Sequence, residues 1–91
     1  MDNKVDRDVV AMKHFAAKLS DFSDQLAQKS AYLLKLCDQA GHAMQDQNGK
    51  ILVNRLTDMA TQLQDPMNDA RTLSERIFRS AAILEALEKG D

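Results

Sequence analysis

The stretch Gly41-His-Ala-Met-Gln-Asp-Gln-Asn-Gly-Lys-Ile-Leu52 decides how this chain folds. On both sides the sequence repeats at helical spacing, and only here does the rhythm stop. Asn48-Gly49 reads as a reversal, because glycine takes positive φ without steric cost and asparagine nearly so. The expected turn spans about 46–49. It either reverses the chain and no more, or forms a recognition tip, with Gln47, Asn48 and Gly49 as its motif.

Upstream, Val5, Val9, Met12, Ala16, Leu19, Ser23, Leu26, Ser30, Leu33, Cys37, Ala40 and Met44 alternate steps of four and three. This is a heptad seam with no proline in it, so one helix is expected from about 3 to 45. Its two columns differ. Val5, Met12, Leu19, Leu26, Leu33 and Ala40 are mostly large, whereas Val9, Ala16, Ser23, Ser30, Cys37 and Met44 are small in the middle. Ser23 and Ser30 either bond the preceding turn of their own helix or let a second helix come close.

Downstream, the large apolar residues Leu52, Leu56, Met59, Leu63, Leu73, Ile77, Leu84 and Leu87, with Ala70, keep the same spacing. They are read as the seam of a second helix over about 50–89. Pro66 falls on that seam. It either kinks one helix, the reading favoured by the unbroken phase, or starts a new one with Asp65 as N-cap. Glu75 with Arg79 and Glu85 with Lys89 are four apart, in the favourable orientation for exposed ion pairs.

The fold class is therefore all-α: one domain over residues 1–91, an antiparallel two-helix hairpin. A pair of helices buries one stripe each, and chains this small are marginal even with a full core. Helix 1 has apolar surface to spare. Phe15, Phe22 and Leu36 form a further column beside Leu19, Leu26 and Leu33, with Leu34 on the other side. A face this wide predicts a four-helix bundle built from two chains, homodimer or heterodimer, with Phe15, Leu19, Phe22, Leu26, Leu33, Leu36 and Phe78 at the protein interface.

Composition excludes several function classes. Fourteen acidic and 12 basic residues leave a net charge of −2, which gives no broad attraction to nucleic acid or an anionic membrane. Arg71, Arg76 and Arg79 are interleaved with Asp69 and Glu75, so they form no basic patch. No run of 18 apolar residues is present, and the first ten residues lack the apolar core of a signal peptide. His14 and His42 have no metal-ligand spacing to each other or to Cys37. No Glu-x-x-His pair for a di-metal site and no P-loop occur. The lone Cys37 lies on the seam, where a buried thiol is the ordinary reading and a nucleophile the alternative. No catalytic residue, metal or cofactor is expected, and the chain is read as a binding protein without enzymatic activity.

Two long helices, a central loop and about a hundred residues resemble the WXG-motif family of small type VII secretion proteins. Gln47-Asn48-Gly49 keeps the glycine of the family's Trp-x-Gly loop and has Gln47 in place of the tryptophan. The segment KILVNRLTDMATQLQDPMNDARTLSERI, with its Pro66-Met67 step, resembles the family's second helix. The resemblance implies dimers forming four-helix bundles, synthesis in the cytoplasm, and export without a cleavable signal peptide. The Tyr-x-x-x-Asp/Glu export signal is not found: Tyr32 lies inside helix 1, and Phe78 is followed four residues later by Ala82. Relatives of the family act as targeting partners or chaperones of LXG-motif toxins, completing a composite signal on a shared bundle. That role fits a hairpin without a recognition tryptophan. The alternatives are a polymerising subunit such as a type III secretion needle protein, whose proline-rich turn this loop lacks, or an unrelated coiled-coil adaptor.

Overall fold

The computed structural model describes residues 3–89, with side chains from Asp6 onward. Val5, the first member of the expected seam, has its side chain outside that range. Three helices follow one another: α1 (Asn3–Ala43), α2 (Gln47–Gln62) and α3 (Gln64–Lys89). The chain is all-α. α1 runs antiparallel to α2 and α3, which are two halves of one bent helix.

The reversal is shorter and earlier than the glycine suggested. It occupies residues 44–46, and Asn48-Gly49 already belongs to the first turn of α2. Asp46 is the N-cap, its Oδ1 accepting from the Gly49 amide at 2.8 Å. An N-cap carboxylate satisfies one of the amides that a helix start leaves without a partner. No described residue has positive φ, so Gly49 is not there for its backbone freedom. It is there for its missing side chain. A Cβ on Gly49 would run into the Met44 carbonyl oxygen and come within 2.5 Å of Met44 Cβ. Gly49 is buried because the end of α1 folds directly over it.

Pro66 bends the helix without starting a new one. Leu63 separates α2 from α3 yet keeps right-handed helical angles, φ −71° and ψ −16°. Its amide donates to Met59 O at 3.2 Å, and its carbonyl accepts from Met67 N at 3.1 Å. The ladder is therefore continuous on either side of the one amide that proline cannot supply. Asp65 lies within the first turn of α3 rather than at its cap.

The two arms meet through small residues. On α1 the fully buried column is Val9, Ala16, Ser23, Ser30 and Cys37. On the other arm the most buried residues are Gly49, Ala60, Ala70, Ser74 and Ala81. Three serine hydroxyls cross the seam. Ser23 donates to Met67 O at 2.9 Å, Ser30 to Ala60 O at 3.3 Å, and Ser74 to Ala16 O at 2.7 Å. Each carbonyl has a second lone pair available beyond its helical bond. Bonds from a short side chain to a neighbouring backbone require the arms to approach closely. Of the two readings of Ser23 and Ser30, close approach is what the structure shows.

This packing corrects the expected seam of the second arm. One column, Leu56, Leu63, Ala70, Ile77 and Leu84, keeps its place beside the seam, although Leu84 stays at the margin of exposure. The other contact column is Val53, Ala60, Met67, Ser74 and Ala81, one residue on from the large side chains expected there. Leu52, Met59, Leu73 and Leu87 are all exposed. Large side chains opposite the small column of α1 would hold the arms apart and forfeit the serine bonds. Met44, past the end of α1, is also exposed.

Candidate protein-interaction face

Helical geometry and the seam together fix what lies on each side of the hairpin. The levels pair Ala16 with Ser74, Ser23 with Met67 and Ser30 with Ala60, so numbers fall on one arm as they rise on the other. One side is marked by Lys13 and Glu85, each four residues beyond a contact residue, whose side chains meet at 2.8 Å. In an antiparallel pair the equivalent columns of the two helices share a side, so the same side carries Ser20, Ala27 and Leu34 on α1 and Thr57, Gln64, Arg71 and Phe78 on the other arm.

The opposite side carries the remaining flanks. On α1 these are the half-buried Met12, Leu19, Leu26, Leu33 and Ala40, then Phe15, Phe22, Lys29 and Leu36. On α2 and α3 they are Leu56, Leu63, Ala70, Ile77 and Leu84, then Leu52, Met59, Pro66, Leu73, Ser80 and Leu87. By the same levels Phe15 stands across from Leu73, Phe22 from Pro66, and Leu36 from Leu52. Phe15 is 53% exposed, Phe22 49%, Met59 54% and Leu73 47%. Among the described residues, eight of the fifteen exposed large apolar side chains lie on this one side. It is a continuous apolar strip along most of the hairpin.

The expected interface residues thus divide. Phe15, Phe22 and Leu36 are exposed on the strip, and Leu19, Leu26 and Leu33 form its half-buried floor. Phe78, also exposed, stands on the Lys13–Glu85 side and is not part of it. Leu52, Met59, Leu73 and Leu87 complete the strip, although hydropathy alone places them inside the hairpin. The turn residues Gln47 and Asn48 are exposed in the first turn of α2, and Gly49 is buried under Met44. Beside them, Gly41, Met44, Gln45, Lys50, Val53 and Asn54 line a shallow groove at the turn.

Ion pairs are sparse. They include Lys13–Glu85 and Lys89–Glu85 at 3.7 Å, and His42 Nδ1 lies 3.8 Å from the Asp38 carboxylate, an ion pair only when the ring is protonated. Glu85 with Lys89 was expected from spacing, and Glu75 with Arg79 does not form. The Lys13 ammonium, through its hydrogen bond and charge, holds the Glu85 carboxyl below its ordinary range. Cys37 is a free, buried thiol, as its seam position suggested. Among the described residues no group of three or more His, Cys, Asp or Glu could hold a metal ion. No described helix is long and apolar enough to cross a membrane. No protein-family model matches the sequence, and neither a curated protein nor a solved structure matches it.

Proposed function

We propose that this chain is a non-catalytic binding hairpin that lays the Phe15–Leu73 strip against a second helical hairpin, completing a four-helix bundle. The observation that carries this reading is the strip itself, left outside because small residues make the seam. Measured against size, the chain is over-exposed. Its surface is 6902 Å², and a compact monomer of this mass has about 5,300 Å². The surplus, roughly 1,600 Å², is about twice what one partner contributes to a standard interface. The other side of the hairpin, carrying Ser20, Thr57, Gln64 and the Lys13–Glu85 pair, is more polar. Pairing through one face stops at two hairpins, which favours a bundle over a filament.

The setting we propose is type VII secretion, with the chain as a small WXG-like protein or as a targeting partner of an LXG-motif toxin. What supports this is the hairpin architecture and the Gln47-Asn48-Gly49 sequence, which keeps the glycine of the family motif and begins α2. The test is pairing and export together. Replacing Phe15 and Phe22 by Ser should release the partner hairpin, each lost aromatic anchor being worth on the order of 2 kcal/mol or more. The helical content of the surviving monomer should change little. If the double variant elutes at the same assembly size as the parent, the strip is not the interface. Loss of pairing with full export of an encoded neighbouring toxin would remove the secretion role and leave the docking role.

A further inference from the structure

The strip is flanked by bases although the chain as a whole is acidic. Lys29 lies within it, between Phe22 and Leu36 and level with Met59. Lys18, Arg55 and Arg76 stand on its margins, in the columns next to Phe15 and Leu52. Against these four bases the described residues of the strip and its margins offer two acids, Asp8 and Asp69. All six are exposed, and none takes part in an ion pair among the described residues. Among the described residues the acidic excess thus lies on the outward-facing and opposite columns, and the apolar face is locally positive.

We infer that the hairpin this face accepts is one with acidic margins, and not a second copy of this chain. The inference rests on the docking reading above. Two copies face to face would bring basic margin onto basic margin and leave Lys29 under apolar cover. A buried ammonium without a counter-charge is costly. The acid a second copy could offer from the strip itself is Asp8, 21 residues from Lys29 and so about 30 Å along the helix. A symmetric dimer that joined Lys29 to the partner's Asp8 would centre near residue 18 or 19. It would leave Leu36 and Leu52, at the turn end, uncovered. A partner with carboxylates along its margins and one opposite Lys29 satisfies the face over its full length. Such charges also select between partners and speed encounter.

The chain can be turned into its own acidic counterpart. In the variant Lys18→Glu, Lys29→Glu, Arg55→Glu, Arg76→Glu the apolar strip is unchanged and only exposed positions are altered. Circular dichroism checks that it stays helical, and Lys29→Glu with Arg55→Glu serves if the fourfold variant does not fold. Sedimentation equilibrium of parent, variant and an equimolar mixture is compared at 50 mM and 500 mM salt. The expected result is mixed association at least tenfold tighter than parent self-association at low salt, with the advantage shrinking at high salt. A parent that dimerises as tightly as the mixture, without salt dependence, overturns the inference in favour of a second copy and leaves docking standing. Adding Phe15→Ser and Phe22→Ser to both chains should abolish the mixed pair. If pairing survives that change, the charges meet elsewhere and the docking reading fails instead. No association in any sample overturns both.

Discussion

Ser74 shows how a single side chain can set the spacing of two helices. Its hydroxyl is buried and donates to Ala16 O at 2.7 Å. Ser74→Ala should cost about 1 kcal/mol, the net worth of one buried hydrogen bond. Ser74→Leu should cost more, about 1–3 kcal/mol, because the larger side chain must wedge the arms apart. Denaturant unfolding of the two variants tests the order; a Leu variant as stable as the parent would mean that the seam is loose. Gly49 makes the same argument at the turn. Gly49→Ala places a methyl against Met44 and should lower the thermal midpoint by several degrees, since about 1 kcal/mol moves a domain of this size by ~4–8 °C. The exposed Gln47→Ala should leave the midpoint within about 0.5 kcal/mol of the parent. Equal midpoints for the two variants would show that Met44 moves aside freely.

At the scale of the element, the Lys13–Glu85 bond ties α1 to the far part of α3. The Glu85 carboxyl is held below its usual 4.5 when folded, so folding favours its charged form. The stability this gives is present above the unfolded value and is lost as pH falls through the folded one. Thermal scans of parent and Glu85→Gln should differ near neutral pH and converge as pH drops below about 4.5. A difference that persists unchanged into acid would mean that Glu85 acts by packing rather than charge. How the elements pair was only half legible in the sequence. Both columns of α1 could be read, because every position from Val9 to Ala40 fits one period. The second arm offers two adjacent columns, and hydropathy selects Leu52, Met59, Leu73 and Leu87 over Val53, Ala60, Ser74 and Ala81. The deciding signal lay in the other helix: a contact column of Ala16, Ser23 and Ser30 calls for equally small residues opposite. The turn was misplaced for a related reason. Asn48-Gly49 has the composition of a turn, whereas the capping role of Asp46 shows only once the start of α2 is known.

Taken whole, the molecule is a thin rod with little interior. Its extents are 69 × 14 × 14 Å and its radius of gyration 20.3 Å, against about 12 Å for a compact chain of this length. The exposed apolar strip was partly visible from Phe15, Phe22 and Leu36. Its other half became visible only once the small-residue seam had turned Leu52, Met59 and Leu73 outward. That seam has a further effect. Ala16, Ser23, Ser30 and Cys37 differ little in bulk, and so do Ala60, Ser74 and Ala81. Sliding one arm past the other by seven residues would set Ser23 against Ala60 or Ser74 with another carbonyl in reach, and would move Met67 from Ser23 only to Ala16 or Ser30, positions of the same small column. The contact surface alone therefore discriminates weakly between alignments. The choice is made at one end, where Met44 closes on Gly49 and Asp46 caps the next helix. Cutting the peptide between Gln45 and Asp46 should keep the helices paired but free them to slip, giving several exchanging sets of amide resonances for α1 in place of one. A nicked protein with a single sharp set would locate the alignment in the seam after all. In the intact chain, a three-residue bend is the pin that keeps two nearly interchangeable tracks from sliding.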